Sequence, residues 1–431
     1  MTFESNLTFG QLSVWRSVQD DAPERASGSN VGTVTMLLGE DPARVINALK
    51  QLTGTTAGLR TSFRRVGNDL LQMEHTGVSP VVDVRDVSST DPDELEHLRR
   101  EMHSQAFTLT AGCLPWRATV MVRNGASVAV ATTFHHLIAD DWVLSAIERA
   151  VPLILAGKPV EFLTGPRELA SEQSSPTWRQ RQAMTSHRWS EMAGGAGLPF
   201  PTEHELSVGW TQLCDTTIDL GIPTAAMQRW SRDHDAFLSS TMLTVTLLIQ
   251  AVLRERLQVS ASLMSSNRFD PSLEHNFASL NQLTPISIQL DGSESFSALA
   301  QRVQDLSSEA YVLSCYDVDA MQRDLRLPMN PVQMDYWYNF SFSGQPPEID
   351  HDVPAERADV ITWAVTARVD GPLFYMSIKG HDYLQLTLRS SFALYPKDRV
   401  ETLLLRLGET MRAIVNGRNL CVADVLERLR A

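Results

Sequence analysis

The sequence predicts an α+β fold in two lobes. Strand-like alternation and helical periodicity are interleaved along the chain, and a polar stretch rich in Ser, Pro and Gly, from about Thr164 to Thr202, divides it near the middle. The 431 residues also exceed the roughly 100–200 that one domain commonly holds. With 43% hydrophobic and 20% charged residues the chain can bury sizeable cores, so disorder is not the default reading. The expected organisation is an N-terminal lobe over 1–170, a lobe connection over 171–215 and a C-terminal lobe over 216–431.

In chain order, Leu7, Leu12, Trp15 and Val18 are spaced as one face of a helix over 7–19. Val31 to Leu38 reads as a strand, and Asp41-Pro42 opens a helix to about Leu52. Thr53 to Gly58 reads as a plain loop, lacking the Lys of a phosphate-binding loop. Thr61–Val66 and Leu70–Glu74 form strands joined by the turn dipeptide Gly67-Asn68. Asp91-Pro92 opens a helix to about Phe107, with Leu95, Leu98 and Met102 on one face. Arg117–Arg123 and Ser127–Phe134 form a hairpin on Asn124-Gly125, the strongest short turn signal here.

Inside the connection, Trp178, Arg181, Thr185 and Trp189 predict a helix over 178–192. The second lobe offers a strand at Thr216–Leu220, helices at Thr224–Arg232 and Ser239–Leu257, and strand-like stretches at Leu283–Leu290 and Asp335–Ser343. It closes with strands at Trp363–Asp370 and Leu373–Lys379 and helices after Phe392 and Asp398. No internal repeat is visible.

The 37 Lys and Arg against 51 Asp and Glu give a net charge of −14. An acidic surface repels phosphate backbones and anionic headgroups, and no basic run overrides it, so neither nucleic acid nor a membrane is expected as a partner. The most apolar segment, Leu243 to Leu253, is broken by Thr244, Thr246 and Gln250 and is about half the roughly 20 residues of a membrane span, so it predicts a core helix. Four dispersed cysteines without a CxxC pair predict no structural zinc. With no signal peptide at the N-terminus, they point to a cytoplasmic protein, and a monomer is expected.

The densest chemistry lies in Thr133-Phe134-His135-His136-Leu137-Ile138-Ala139-Asp140-Asp141-Trp142. A strand delivers two imidazoles, and a short loop delivers two carboxylates and a Trp into a helix. Asp140 or Asp141 can cap that helix, whose face Val143, Ile147 and Val151 bury. Imidazole suits proton transfer near neutral pH, although a His beside an apolar strand is commonly only a packed or surface group. A metal reading needs a third ligand, and no HExxH or HxH cluster supplies it. With no GxSxG elbow, P-loop or GxGxxG, the sequence offers a general base but no covalent nucleophile, which favours direct transfer of an activated group.

His135-His136-Leu137-Ile138-Ala139-Asp140-Asp141 resembles the HHxxxDG motif of nonribosomal peptide synthetase condensation domains and their relatives in the HHxxxD acyltransferase superfamily. The resemblance extends in order along nearly the whole chain. Leu7 to Trp15 resembles "LsxaQxrlW", and Leu59-Arg60-Thr61-Ser62-Phe63 resembles "LRTxF". Trp189 with Gly194 and Pro199 is similar to "yWxxxLxG…LP". Asn267-Arg268 followed by Phe277 to Ile286 resembles "R…iGxfxNTLPl", and Tyr338-Asn339-Phe340 resembles "FNyq".

The resemblance implies an α/β sandwich of two chloramphenicol-acetyltransferase-like lobes in a V, with His135 and His136 at the floor of a central tunnel. It implies peptidyl or acyl carrier proteins as partners, donor and in some cases acceptor. It implies no bound cofactor, the phosphopantetheine arms of the carriers being substrates. His136 would accept a proton from, or orient, an acceptor amine or hydroxyl attacking the donor thioester, with His135 and Asp140 completing the catalytic motif. Asp140 would be turned away and paired with Arg268; Asp141 joins Arg268 in supporting the motif, and Asn339 and Trp142 would line the tunnel.

Three departures stand out. Asp141 replaces the motif's Gly, beside the imidazoles. Thr55-Thr56-Ala57 replaces "RHE", removing one basic brace and leaving more of that role to Arg268. Gln282-Leu283 stands where "NT" is usual. No adenylation signature and no "GGxS" carrier motif is present, and with Met1 opening the chain a free-standing condensation domain is expected. Its expected product is an amide or ester in nonribosomal peptide or related biosynthesis. The alternatives are a coenzyme A thioester acyltransferase, though the "DFGWG" signature of one such branch is absent, and a non-catalytic recruitment domain. An epimerisation domain would need further Glu-containing motifs that are not found.

Overall fold

Capping and turn chemistry fix the first elements of the computed structural model. It describes residues 1–19, 23–160, 164–194, 197–209, 212–269, 271–341, 355–365, 371–380 and 382–431. Strand β1 (Thr2–Asn6) precedes helix α1 (Phe9–Val18), where Thr8 and Gln11 form a reciprocal capping box. β2 (Asn30–Glu40) leads to α2 (Pro42–Thr55), capped by Asp41. β3 (Thr61–Val66), β4 (Asp69–His75), β5 (Val81–Asp86), α3 (Pro92–His103), β6 (Trp116–Arg123), β7 (Ala126–His135) and α4 (Asp141–Leu155) follow. Between β6 and β7, Asn124 and Gly125 both take positive φ, 53° and 81°, as a tight right-twisted hairpin requires.

The chain continues through α5 (Pro166–Gln173), α6 (Pro176–Gly194), α7 (Glu203–Val208), β8 (Leu213–Pro223), α8 (Thr224–Asp233), α9 (Leu238–Arg254), β9 (Gln258–Ser265) and α10 (Pro271–Glu274). It ends with β10 (Gln282–Gln289), α11 (Phe296–Val312), α12 (Val318–Asp324), β11 (Trp337–Phe340), β12 (Val360–Val365), β13 (Phe374–Gly380), β14 (Tyr383–Ser391), α13 (Lys397–Val415) and α14 (Val422–Arg430).

Two units result. The first comprises Met1–Ala183, Ser266–Gln282 and Cys315–Ala320. It holds a three-stranded sheet, β1-β4-β3, and a four-stranded sheet, β2-β7-β6-β5, in which β5 runs parallel to β6 and the other pairs are antiparallel. Side chains alternate across the larger sheet. Val120, Val122, Val130 and Phe134 join Leu49 and Leu52 of α2 and Val143 and Ile147 of α4 in the main core. Met121, Ala129 and Ala131 pack with Leu95 and Met102 of α3.

The second unit comprises Met184–Ser265, Leu283–Ser314 and Met321–Ala431. Its sheet has seven strands in the order β10-β9-β11-β13-β14-β8-β12, and β11 is parallel to both neighbours. One core gathers Ile218, Leu263, Met376 and Leu386 from the sheet with Leu247 of α9, Val303 of α11, Leu404 of α13 and Leu426 of α14. Helix α9 is buried on every face from Ser240 to Leu253, in accord with a core helix. No single helix among the described residues is long and apolar enough to cross a membrane.

Several expectations need correction. The helix expected over 178–192 is present as α6, burying Trp178, Thr185 and Trp189, but the first unit runs on to Ala183 rather than ending at residue 170. The units are also discontinuous, since 266–282 and 315–320 belong with the first. The helix expected to reach Phe107 stops at His103. Residues 392–396 turn rather than form a helix, and α13 starts at Lys397. β11 begins only at Trp337, because Tyr336 sits at φ 58°. The last residues of the expected strands Asp335–Ser343 and Trp363–Asp370, and Gly195 of the connection, lie outside the described residues.

Candidate active site

β7 ends at His135, and backbone bonds fix the turn beyond it. His135 N–H donates to Pro115 O at 2.8 Å, His136 N–H to Ser29 O at 2.7 Å and Ile138 N–H to His135 O at 3.0 Å. The two imidazoles acquire opposite characters. His135 is buried and its Nδ1 accepts the Leu137 N–H at 3.1 Å, so its proton is on Nε2. Burial and the neighbouring His136 push its pKa down to about 3, which keeps it neutral at all ordinary pH. His136 is half-buried, and its Nδ1 lies 2.7 Å from the carbonyl oxygen of Ala139. A carbonyl only accepts, so Nδ1 carries the proton and Nε2 holds the basic lone pair.

Asp140 is buried as the N-cap of α4, with Oδ1 accepting the Val143 N–H at 3.2 Å. Its Oδ2 accepts from Arg268 Nη1 at 2.7 Å and from Leu280 N–H at 3.0 Å. Arg268, its side chain 4% exposed, also donates to Ser266 O and Ala278 O and lies over the Trp142 ring, 4.6 Å from its centre. Among the described residues it is the one cation paired with Asp140. Thr55-Thr56-Ala57 supplies no such partner; it ends α2, with Thr56 fully buried.

His135, His136, Asp140, Trp142 and Arg268 thus converge within the first unit. Asp141 is exposed as the first residue of α4, where its carboxylate meets the positive end of the helix. Asn339 belongs to the second unit, on β11, with Nδ2 donating to the Tyr375 hydroxyl at 3.0 Å. Gln282, at the departure from "NT", is buried: Oε1 accepts from Asn267 Nδ2 and the Tyr316 N–H, and Nε2 donates to Tyr316 O at 2.8 Å. It joins the two late segments of the first unit to each other.

The sequence reading passed over Ser279. Its fully buried hydroxyl donates to Asn281 Oδ1 at 2.7 Å and lies 3.5 Å from His136 Nδ1. The segment around it had been noted, but nothing in its periodicity distinguishes this position. Two glycines let the segment approach: a Cβ on Gly10 would stand 2.5 Å from Ser279 O, and one on Gly58 would overlap Phe277 O. No group of three or more His, Cys, Asp or Glu among the described residues is arranged to hold a metal.

The architecture is shared with solved structures. The chain is similar to the condensation domain from the monacolin K polyketide synthase MokA, with TM-score 0.77 and 17% identity over 98% of this chain and 99% of that one. It is similar to a protein of the enacyloxin polyketide synthase solved to explain condensation domain-mediated chain release, with TM-score 0.71 and 16% identity over 99% of this chain and 83% of that one. A chain in the complex of the X-domain and OxyB from teicoplanin biosynthesis matches with TM-score 0.69 and 16% identity, over 97% and 95%. These likenesses establish the fold of two chloramphenicol-acetyltransferase-like lobes. No curated protein matches the sequence. The condensation-domain family model matches residues 23–419, nearly the whole chain. The chain belongs to the condensation-domain family.

Proposed function

We propose that this chain joins an acyl, aminoacyl or peptidyl group, delivered as a thioester on the phosphopantetheine arm of a carrier protein, to an amine or hydroxyl acceptor. The observation that supports this most directly is the state of His136: half-buried, with Nδ1–H held by Ala139 O and Nε2 left basic. The acceptor donates its proton to Nε2 as its nitrogen or oxygen adds to the thioester carbonyl carbon. Collapse of the tetrahedral adduct breaks the C–S bond, and the imidazolium proton passes to the departing thiolate. The products are an amide or ester and the free phosphopantetheine thiol. His135, neutral and buried, holds the turn rather than exchanging protons. Asp140 organises the loop through Arg268, Val143 and Leu280 and has no bond to His136.

A second reading, a recruitment domain without turnover, is favoured by Asp141, an exposed carboxylate where the motif has Gly. A mass-spectrometric assay with acyl-loaded carrier and a panel of amine and alcohol acceptors separates the two. Transfer by wild type and loss of about 100-fold or more in folded His136→Ala supports catalysis. Failure of wild type with carrier binding retained supports recruitment.

A further inference from the structure

The motif carboxylate shares no hydrogen bond with the imidazole it accompanies, and the residues between them supply a route. Arg268 Nη2 donates to Ala278 O at 2.8 Å, and Leu280 N–H donates to Asp140 Oδ2 at 3.0 Å. The Asp140–Arg268 pair therefore grips the backbone on both sides of Ser279. Gly10 closes the third side, so near the Ser279 carbonyl oxygen that a Cβ there would lie 2.5 Å from it. Ser279 is fully buried and cannot turn to water. Its hydroxyl proton is committed to Asn281 Oδ1 at 2.7 Å, so the oxygen offers a lone pair toward His136 Nδ1 at 3.5 Å.

From this arrangement we propose that Ser279 is a positioning residue through which the Asp140–Arg268 pair acts on His136. Ala139 O is the principal acceptor of the Nδ1 proton and Ser279 Oγ a second, weaker one, contributed by a segment more than a hundred residues away in sequence. Two acceptors behind the ring hold its proton on Nδ1, so the direction of the Nε2 lone pair depends on Ser279. The other ionisable groups around the ring are the neutral His135 beside it, the Asp140–Arg268 pair behind the segment and Asp141 at the start of α4. The role rests on His136 being the working base, but the geometry can be read without turnover.

The test is NMR of ring-labelled histidine, read together with kcat and KM of transfer. Wild type is expected to show His136 as the Nδ1–H tautomer. Ser279→Ala is expected to populate the Nε2–H tautomer at the expense of Nδ1–H. Ser279→Thr, which keeps the hydroxyl, restores the Nδ1–H tautomer. Asn281→Ala, which frees the Ser279 proton to point at the ring, shifts the tautomer in the same direction as Ser279→Ala and serves if that variant does not fold. Where transfer is measurable, kcat falls in step with the loss of the Nδ1–H tautomer while KM holds. An unchanged tautomer in folded Ser279→Ala or Asn281→Ala overturns the proposal. Ring signals that respond as described in a protein without turnover sustain the positioning role and refute only the catalytic reading.

Discussion

Arg268 Nη1 meets Asp140 Oδ2 at 2.7 Å, with the two side chains 4% and 6% exposed. This pair gathers the start of α4 and the backbone at Ala278 and Leu280 into one polar knot. The site is therefore braced by ions that lie to one side of the imidazole.

Removing one member of that knot leaves the other charged and buried. Arg268→Ala is expected to lower unfolding stability by about 3–5 kcal/mol, read from denaturant midpoints. Asp140→Ala/Arg268→Ala is expected to cost less than the sum of the single changes, because neither variant charge is then stranded. Additive losses would show that the pair is not coupled.

His135 makes the fold acid-sensitive. Its folded pKa near 3 lies below the unfolded value near 6.5, so its stabilising contribution is complete above pH 6.5 and declines as pH falls toward 3. The decline amounts to about 2 kcal/mol at pH 5. Urea unfolding at pH 7 and pH 5 should reveal this slope in wild type and a shallower one in His135→Gln, whose amide oxygen can still accept the Leu137 N–H.

Asp335 acts with the opposite sign. Burial pushes its pKa up to about 6, despite N–H bonds from Phe374, Tyr336 and Leu373. The folded state then binds the proton more tightly than the unfolded chain, so this contribution is complete below about pH 4 and is lost as pH rises through 6, a change of about 3 kcal/mol. Subtracting the pH profile of Asp335→Asn from that of wild type should isolate it, and parallel profiles would refute it.

The close approaches at Gly10 and Gly58 give a steric test. Gly58→Ala places a methyl on Phe277 O and is expected to destabilise by about 1–3 kcal/mol, with Gly10→Ala similar. Gly54, near the end of α2, has open space around its Cβ position, so Gly54→Ala should match wild type or gain up to about 1 kcal/mol. Thermal melts of the three variants decide it; equal melting temperatures would mean that the tight packing is absent.

Elements that carry their own local signals were legible in the sequence. The α1 helix marked by the spacing of Leu12, Trp15 and Val18, the Asp41-Pro42 start of α2 and the Asn124-Gly125 hairpin lie where residue chemistry puts them. β1 and β5 were not legible: both are mostly exposed and owe their form to pairing with β4 and β6, partners that no local pattern announces. β9, β14 and α11 were missed too, within long runs where apolar residues fit either period. At the site, the His-Asp cluster was readable as a group. Which imidazole is buried, and that Ser279 stands behind the other, depends on a segment from between β9 and β10 folding onto the first unit.

The discontinuity of the first unit also imposes an order on its birth. At synthesis rates of roughly 5–20 residues per second, Asp140 leaves the ribosome on the order of 10 s before Arg268, which follows 128 positions later. During that interval its carboxylate lacks the Arg268 guanidinium, Gly10 and Gly58 lack the segment that packs on them, and the loop bearing both histidines is unbraced. The nascent first unit therefore waits, incomplete, until residue 320 has emerged.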